Sequence, residues 1–232
     1  MNLWDNDPGD VLAIVAHPDD LEYGAAAAVA KWTAAGHRVT YLLVTRGEAG
    51  IDGMAPEQAA PLRVAEEVES AAVVGVDDVR FLDHADGVVE YGLALRRDIA
   101  AVIRQVRPQT LLLFNHRESW GFPGSRNSAD HRAVGEAALD AAADAGNRWI
   151  FPGEQPHAVR WMLVAGSPQA DHAIDVTGFE DLAVESLRCH RAYLEGLGEH
   201  PMADPEFVRG FLEQAGERVG VSAAVGIEVF GG

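Results

Sequence analysis

A chain of 232 residues can bury one sizeable core, and 48% hydrophobic residues with 7% aromatic residues is an ordinary globular composition. The 36 acidic and 18 basic residues give a formal charge of −18, which argues against nucleic acid or an anionic membrane as a partner. The acidic N-terminus is unlike a signal peptide, no apolar run reaches the length of a membrane span, and the single Cys189 allows neither an internal disulfide nor a thiolate metal cluster. We therefore expect one cytoplasmic domain over residues 1–232.

Strand and helix patterns alternate along most of the chain. Short apolar runs typical of buried strands cover residues 11–15, 39–45, 79–82, 110–114, 159–165, 173–176 (as a short edge strand) and 220–230. Stretches with helical spacing cover residues 23–35, 61–74, 93–106, 130–145, 180–194 and 206–215. This order predicts an α/β fold of Rossmann-like type, with a mostly parallel sheet and helices on both faces.

A tight polar turn, A-H-P-D-D-L-E at residues 16–22, follows the first predicted strand. Ligands bind at this edge of open α/β sheets, and the three-residue spacing of His17 and Asp20 lets one turn direct both at a single cation. Asp19 then points elsewhere. Acidic residues also cap helix starts, but a cap needs one acid and explains neither His17 nor the second aspartate. A G-x-G-x-x-G motif is absent here, so we do not expect a dinucleotide cofactor.

A third candidate ligand, His131, stands at the start of the helix predicted after residues 110–114. Two histidines and one aspartate leave a fourth metal position open for water, which distinguishes catalytic from structural zinc sites. Taken alone, the Asp130-His131 pair is better explained by a helix cap beside an exposed histidine. The irregular segment 115–129 before it carries Trp120 and Phe122, which could line a ligand site or pack locally.

These motifs occur in an order that resembles the LmbE-like (PIG-L) metal-dependent de-N-acetylases. The stretch A-H-P-D-D-L-E-Y-G at residues 16–24 is similar to the hallmark of that family. It is followed, as in the family, by T-R-G-E-A-G at 45–50, R-x-x-E at 63–66, D-G at 86–87, D-H at 130–131, D-V-T at 175–177 and L-R-C-H at 187–190. The resemblance covers residues 11–194.

The resemblance implies that His17, Asp20 and His131 bind a divalent metal, usually zinc, and that Asp19 is the general base that deprotonates the attacking water. It also implies that two further residues contact sugar hydroxyls of the substrate, namely Arg63 and Asp86. From the residues alone, Arg63 could equally form a helical ion pair with Glu66, and Asp86 could simply belong to an Asp-Gly turn.

One position departs from the family pattern. Many members have a histidine that stabilises the tetrahedral intermediate where this chain has Ser128. We expect another group to replace it, with His190 as the first catalytic candidate and His116 as the second. His84 is expected to be a surface histidine.

The resemblance implies a metal-dependent hydrolase that removes the N-acetyl group from a small molecule containing N-acetylglucosamine. One alternative is an amidase acting on a larger thiol conjugate or N-acyl group. Another is a non-catalytic metal-binding or ligand-binding protein of the same fold. The expected partner is a small-molecule substrate, with no nucleic acid and no membrane, and a homo-oligomer is left open.

Overall fold

A computed structural model describes residues 1–231, and one eight-stranded sheet runs through it. The strands are β1 (Asn2–Leu3), β2 (Val11–Val15), β3 (Val39–Leu43), β4 (Asp78–Phe81), β5 (Thr110–Phe114), β6 (Trp161–Ala165), β7 (His172–Asp175) and β8 (Ala224–Gly231). The helices are α1 (Asp20–Gly24), α2 (Ala26–Ala34), α3 (Pro56–Val73), α4 (Leu93–Val106), α5 (Ala129–Gly146), α6 (Glu180–Arg188), α7 (Arg191–Leu197) and α8 (Phe207–Glu217), with a 3₁₀ turn at Pro201–Ala203. In this part of the chain, none of the helices combines the length and apolar character needed to cross a bilayer.

The strands lie in the spatial order β1-β7-β8-β6-β5-β2-β3-β4. Neighbours are parallel except where β8 pairs with β6 and β7 in antiparallel register. The mostly parallel α/β fold predicted from the sequence is therefore confirmed.

Both faces of the sheet are covered, as the unbroken apolar sequence of β2 requires. Side chains alternate across a strand, so Val11, Ala13 and Val15 enter one core with α2, α6 and α8. Leu12 and Ile14 enter the other core with α4 and α5. The end of β2 is thus fixed between two packed layers.

Two predicted helices are broken in the structure. The helix predicted over 23–35 begins already at Asp20 and is interrupted at Ala25 (φ −150°, ψ 0°). At this point the backbone passes close to Phe114, and a Cβ on Gly24 would lie 2.6 Å from the Phe114 ring. The helix predicted over 180–194 ends at Arg188 and restarts at Arg191, because the chain bends at His190 (φ −79°, ψ 52°), whose side chain is fully buried.

The prediction of an edge strand near residues 173–176 was wrong. β7 is an inner strand, because the two-residue β1 pairs along its outer side and β8 along its inner side. A strand of two residues is too short to leave a pattern in the sequence.

Strand order also determines where a ligand site can form. The chain places β3 and β4 successively on one side of β2, then returns to place β5 on the other side. The C-terminal ends of β2 and β5 therefore flank a topological switch point, the usual place for a ligand in an open parallel sheet. The turn at residues 16–22 follows β2, and the segment leading to His131 follows β5.

Candidate metal centre

The three predicted metal ligands converge at the switch point. His131 Nε2 lies 2.9 Å from Asp20 Oδ1, and His17 Nδ1 lies 3.6 Å from Asp20 Oδ2. One donor atom from each residue lies within 4.8 Å of the donor atoms of the other two. Residues separated by more than a hundred positions thus present two imidazoles and a carboxylate to one point.

The candidate ligand Asp20 is held as a carboxylate by its own turn. Its Oδ2 accepts the backbone N–H groups of Ala16 and His17 at 3.0 and 2.9 Å. Burial favours the neutral acid, but the charge and hydrogen bond of His131, together with His17, hold the pKa of Asp20 far below its usual range.

The second ring nitrogen of His17 is oriented by two carboxylates. Nε2 lies 3.1 Å from Asp86 Oδ1 and 3.2 Å from Asp130 Oδ2. Burial alone would lower the pKa of His17, but hydrogen bonds to Asp130 and Asp20 outweigh it and raise that pKa well above the usual value. The pocket around this imidazole therefore stabilises positive charge.

The tautomer of His131 follows from the hydrogen bonds of Asn127. The Asn127 amide nitrogen donates to the backbone carbonyls of Asn115 and Arg117 at 2.6 and 3.0 Å. Its oxygen therefore faces His131 Nδ1, 2.9 Å away, which must carry the proton. Nε2 of His131, the other ring nitrogen, lies 2.9 Å from Asp20 Oδ1 and is the one placed to bind a cation in place of a proton.

These residues fit a divalent cation. Both histidines have one nitrogen near Asp20 and the other held by a carboxylate or amide oxygen, the arrangement that usually fixes histidine ligands of a metal. The capping explanation applies instead to Ser128, which lies at the N-cap of α5 and whose Oγ accepts the N–H of His131 at 3.0 Å.

Asp19 adjoins Asp20 in the turn, and one of its carboxylate oxygens is held by Arg63. Its backbone is left-handed (φ 89°), and Arg63 Nη2 donates to Asp19 Oδ2 at 2.7 Å. Burial raises the pKa of Asp19, partly countered by the positive charge of Arg63 and reinforced by the negative charge of Asp20. Asp19 is thus next to the three candidate ligands without being one of them.

Arg63 is buried behind Asp19, with its side chain only 2% exposed. Its guanidinium donates to the carbonyls of Pro18 and Gly47 at 2.6 and 3.0 Å and lies over the ring of Tyr193. Gly47 makes room for it, since a Cβ there would lie 2.3 Å from Nη1. Contact with sugar hydroxyls stays a prediction for Arg63, and its partners in the structure are Asp19 and the backbone rather than Glu66.

Asp86 faces the centre through His17. Its second oxygen accepts the N–H of Ala49 at 2.8 Å, so both carboxylate oxygens are engaged within the protein. Substrate contact likewise stays a prediction for Asp86, whose role visible in the structure is to orient the imidazole.

The two histidines considered as replacements at the Ser128 position are both buried. His190 is fully buried, 3.5 Å from Glu22 and 3.7 Å from Glu67. His116 is 3% exposed. The catalytic role of His190 therefore stays a prediction. His84 is partly exposed and lies 3.2 Å from Asp98.

Trp120 forms one wall of the centre. Its ring stands edge-on to His131 at 5.7 Å and packs on Phe114 at 5.3 Å. Phe122 points outward with 62% exposure. Of the two aromatic residues noted in the sequence, only Trp120 adjoins a candidate ligand.

Sequence reasoning missed two residues of the centre, Asp130 and Asn127. Asp130 is 2% exposed and also accepts the N–H groups of Gly87 and Val89 at 2.7 and 3.1 Å. Each missed residue lies within four positions of a ligand histidine, a local signal that could have suggested an orienting role.

Fold and site together define an α/β protein whose candidate metal ligands are two histidines and one aspartate. Comparison with known proteins agrees with this. Residues 12–142 match the family model described as PIG-L, GlcNAc-PI de-N-acetylase, and the chain belongs to this family.

Named relatives and a solved structure extend the comparison. The chain is 30% identical over 198 residues to diacetylchitobiose deacetylase of Thermococcus kodakarensis, covering 81% of this chain and 71% of the relative. It is 30% identical over 224 residues to the 1D-myo-inositol 2-acetamido-2-deoxy-alpha-D-glucopyranoside deacetylase of Geodermatophilus obscurus, covering 84% and 73%. The structure of N,N'-diacetylchitobiose deacetylase from Pyrococcus horikoshii superposes with a TM-score of 0.86 at 23% identity over 97% of this chain and 84% of that one, which supports the fold.

Proposed function

We propose that this protein is a zinc-dependent hydrolase that removes the acetyl group from an N-acetylglucosamine unit of a small molecule. The observation that carries the proposal is the convergence of His17, Asp20 and His131 at the switch point, with Asp19 beside them. The named relatives support the reaction class, since both are deacetylases of compounds that contain an N-acetylated glucosamine unit.

His17, Asp20 and His131 would hold the cation, and the two-histidine, one-carboxylate set favours zinc. When bound, such a cation supplies Lewis acidity that polarises the amide carbonyl and makes water more acidic. Asp20 contributes negative charge, while Asp86, Asp130 and Asn127 keep both imidazoles in the ligand orientation.

Asp19 would act as the general base. Arg63 holds Oδ2, which leaves Oδ1 to take the proton from the attacking water. The same oxygen can return this proton to the departing nitrogen, so that amine and acetate leave. Trp120 would exclude water from one side and contact the apolar face of the sugar.

The test combines metal content with acetate release from N,N'-diacetylchitobiose and N-acetylglucosamine, with and without a chelator. We expect His17→Ala to lose the metal, and Asp19→Asn to keep it while turnover falls at least about a hundredfold. His37→Ala is the matched histidine control, because His37 precedes β3, at the ends of the strands opposite to the candidate centre, and its imidazole lies 3.8 Å from Asp7.

Wild-type turnover in Asp19→Asn would show that another group is the base. Bound metal with no amide hydrolysis across a panel of N-acetylated sugars would favour a non-catalytic binding protein. Hydrolysis of larger N-acyl conjugates alone would favour the broader amidase.

A further inference from the structure

Two side chains of α3 form hydrogen bonds with the peptide group between Pro18 and Asp19, one at its carbonyl and one at its N–H. Arg63 Nη2 donates to the Pro18 carbonyl at 2.6 Å. Glu67 Oε2 accepts the Asp19 N–H at 3.2 Å. Carbonyl and N–H belong to the same planar unit, so these two side chains together fix the orientation of that plane.

The two residues that bind this peptide group are spaced so that both side chains can reach it. Arg63 and Glu67 lie four positions apart on α3, and therefore on one face of the helix. Both are buried, with 2% and 0% exposure. The two side chains match the two ends of the peptide dipole, with the Arg63 cation at the carbonyl and a carboxyl oxygen of Glu67 at the N–H.

The backbone of Asp19, which supplies the N–H of this peptide group, is strained. Asp19 has φ 89°, a left-handed conformation that is unfavourable for a non-glycine residue and persists only where surrounding contacts impose it. Relaxing this angle would swing the carboxylate that lies beside Asp20.

Glu67 packs beside two other buried ionisable residues, and we define Glu22, Glu67 and His190 as the buried cluster. His190 Nε2 lies 3.7 Å from Glu67 Oε2 and 3.5 Å from Glu22 Oε2. Ser70 fixes the other side of Glu22 with a 2.5 Å hydrogen bond. All three members of the cluster are fully buried, so they support the turn without reaching solvent.

We propose that Glu67 is a positioning residue that, with Arg63, clamps the Pro18–Asp19 peptide and thereby presents the Asp19 carboxylate for proton transfer. This inference rests on the role proposed above for Asp19. It also gives His190 a place in the protein, as a buried support for Glu67.

Two substitutions of Glu67 separate its hydrogen bond from its volume. Glu67→Gln keeps an oxygen for the Asp19 N–H, and it imitates the neutral acid that burial and the neighbouring Glu22 favour by raising the pKa of Glu67. Glu67→Met keeps a similar volume but offers no oxygen acceptor.

We expect Glu67→Met to lower kcat at least about tenfold with KM and bound metal unchanged, whereas Glu67→Gln stays within about threefold of wild type. A readout independent of activity is hydrogen exchange of the Asp19 amide, because Glu67 is the only partner of that N–H found within residues 1–231. Exchange should become faster in Glu67→Met and stay slow in Glu67→Gln.

Glu66→Met is the matched control. Glu66 is the adjacent buried carboxylate on α3, at 5% exposure, but it accepts the N–H of Ala192 at 2.6 Å and none of its hydrogen bonds goes to the Pro18–Asp19 peptide. Its substitution should change unfolding temperature without changing kcat or the exchange of the Asp19 amide.

Unchanged kcat and unchanged Asp19 exchange in Glu67→Met would overturn the clamp, as would equal losses of kcat in the Glu66 and Glu67 methionine variants. If the wild-type protein hydrolyses no amide, the proposed function fails instead. In that case the exchange measurement still decides whether the clamp exists.

Discussion

Removing the two carboxylates that share His17 tests the metal centre most directly. Asp86 and Asp130 approach the same ring nitrogen at 3.1 and 3.2 Å, so each can orient the imidazole when the other is absent. The informative set is therefore Asp86→Ala, Asp130→Ala and the double variant.

The expected magnitudes follow from this redundancy. Loss of a partner that orients a histidine ligand typically weakens metal binding by about 10–100-fold, or ~1.4–2.7 kcal/mol. Each single variant keeps one carboxylate, so we expect about tenfold, the lower end. The double variant leaves the imidazole unheld, and its loss should exceed the product of the two single losses.

The assay is zinc affinity, measured by competition against a chelating dye at fixed pH. Stability of the metal-free protein must be measured in parallel, because Asp130→Ala also leaves the N–H groups of Gly87 and Val89 without their acceptor. Leaving the buried N–H of Val89 without a partner costs about 1–3 kcal/mol of folding free energy. Asp83→Ala is the control, since Asp83 lies on the same loop with its side chain 88% exposed.

A double variant that binds zinc as tightly as wild type would refute the reasoning, because His17 would then need no orienting carboxylate. Strictly multiplicative losses would also contradict it, because they would show that the two carboxylates act independently.

Four further results are expected. Zinc affinity should rise with pH through neutrality, because a proton must leave His17 before zinc binds. Hydrogen bonds to Asp130 and Asp20 outweigh burial and raise the pKa of His17 in the metal-free protein. A zinc affinity that does not change with pH would contradict this. Because the pKa of His17 is raised by folding, protonation of His17 stabilises the metal-free protein, and this stabilisation is complete below 6.5, the pKa of His17 in the unfolded chain. Urea unfolding should show that this contribution to the free energy of unfolding is lost as pH rises through the pKa of His17 in the folded protein. Trp120→Ala should raise KM about tenfold at unchanged metal content, and an unchanged KM would remove Trp120 from the substrate site. Leu112→Ala, in the centre of β5 with 0% exposure, should lower the free energy of unfolding by about 2–5 kcal/mol in urea titration, and a loss under 1 kcal/mol would mean that this core relaxes around the gap.

The fold was predictable where a pattern is long and one-sided. The apolar run of β2 and the amphipathic spacing of α4 gave nearly correct bounds, because burial on two faces or on one helical face leaves a clear periodicity. The breaks at Ala25 and His190 left no such mark. Each depends on one tertiary contact, with Phe114 in the first case and with buried glutamates in the second.

The candidate ligands could be found from spacing and family resemblance, but their surroundings could not. Asp86 and Asp130 share one imidazole nitrogen although forty-four positions separate them in the sequence. That pairing depends on how the loops after β4 and β5 fold over the end of β2. The surroundings of Arg63 could not be predicted either. Its spacing on the helix allows an ion pair with Glu66, but in the fold its guanidinium binds the carboxylate of Asp19.

The centre explains how one cation could join otherwise independent loops. His17 and Asp20 follow β2, Asp86 follows β4, and Asp130 and His131 begin α5, so no single loop carries the whole set. Three buried carboxylates around His17 are stable only when positive charge lies among them, as protons in the metal-free protein or as a divalent cation. Metal binding and the order of these loops should therefore be linked, and a chelator should speed hydrogen exchange in residues 83–89 more than in β2.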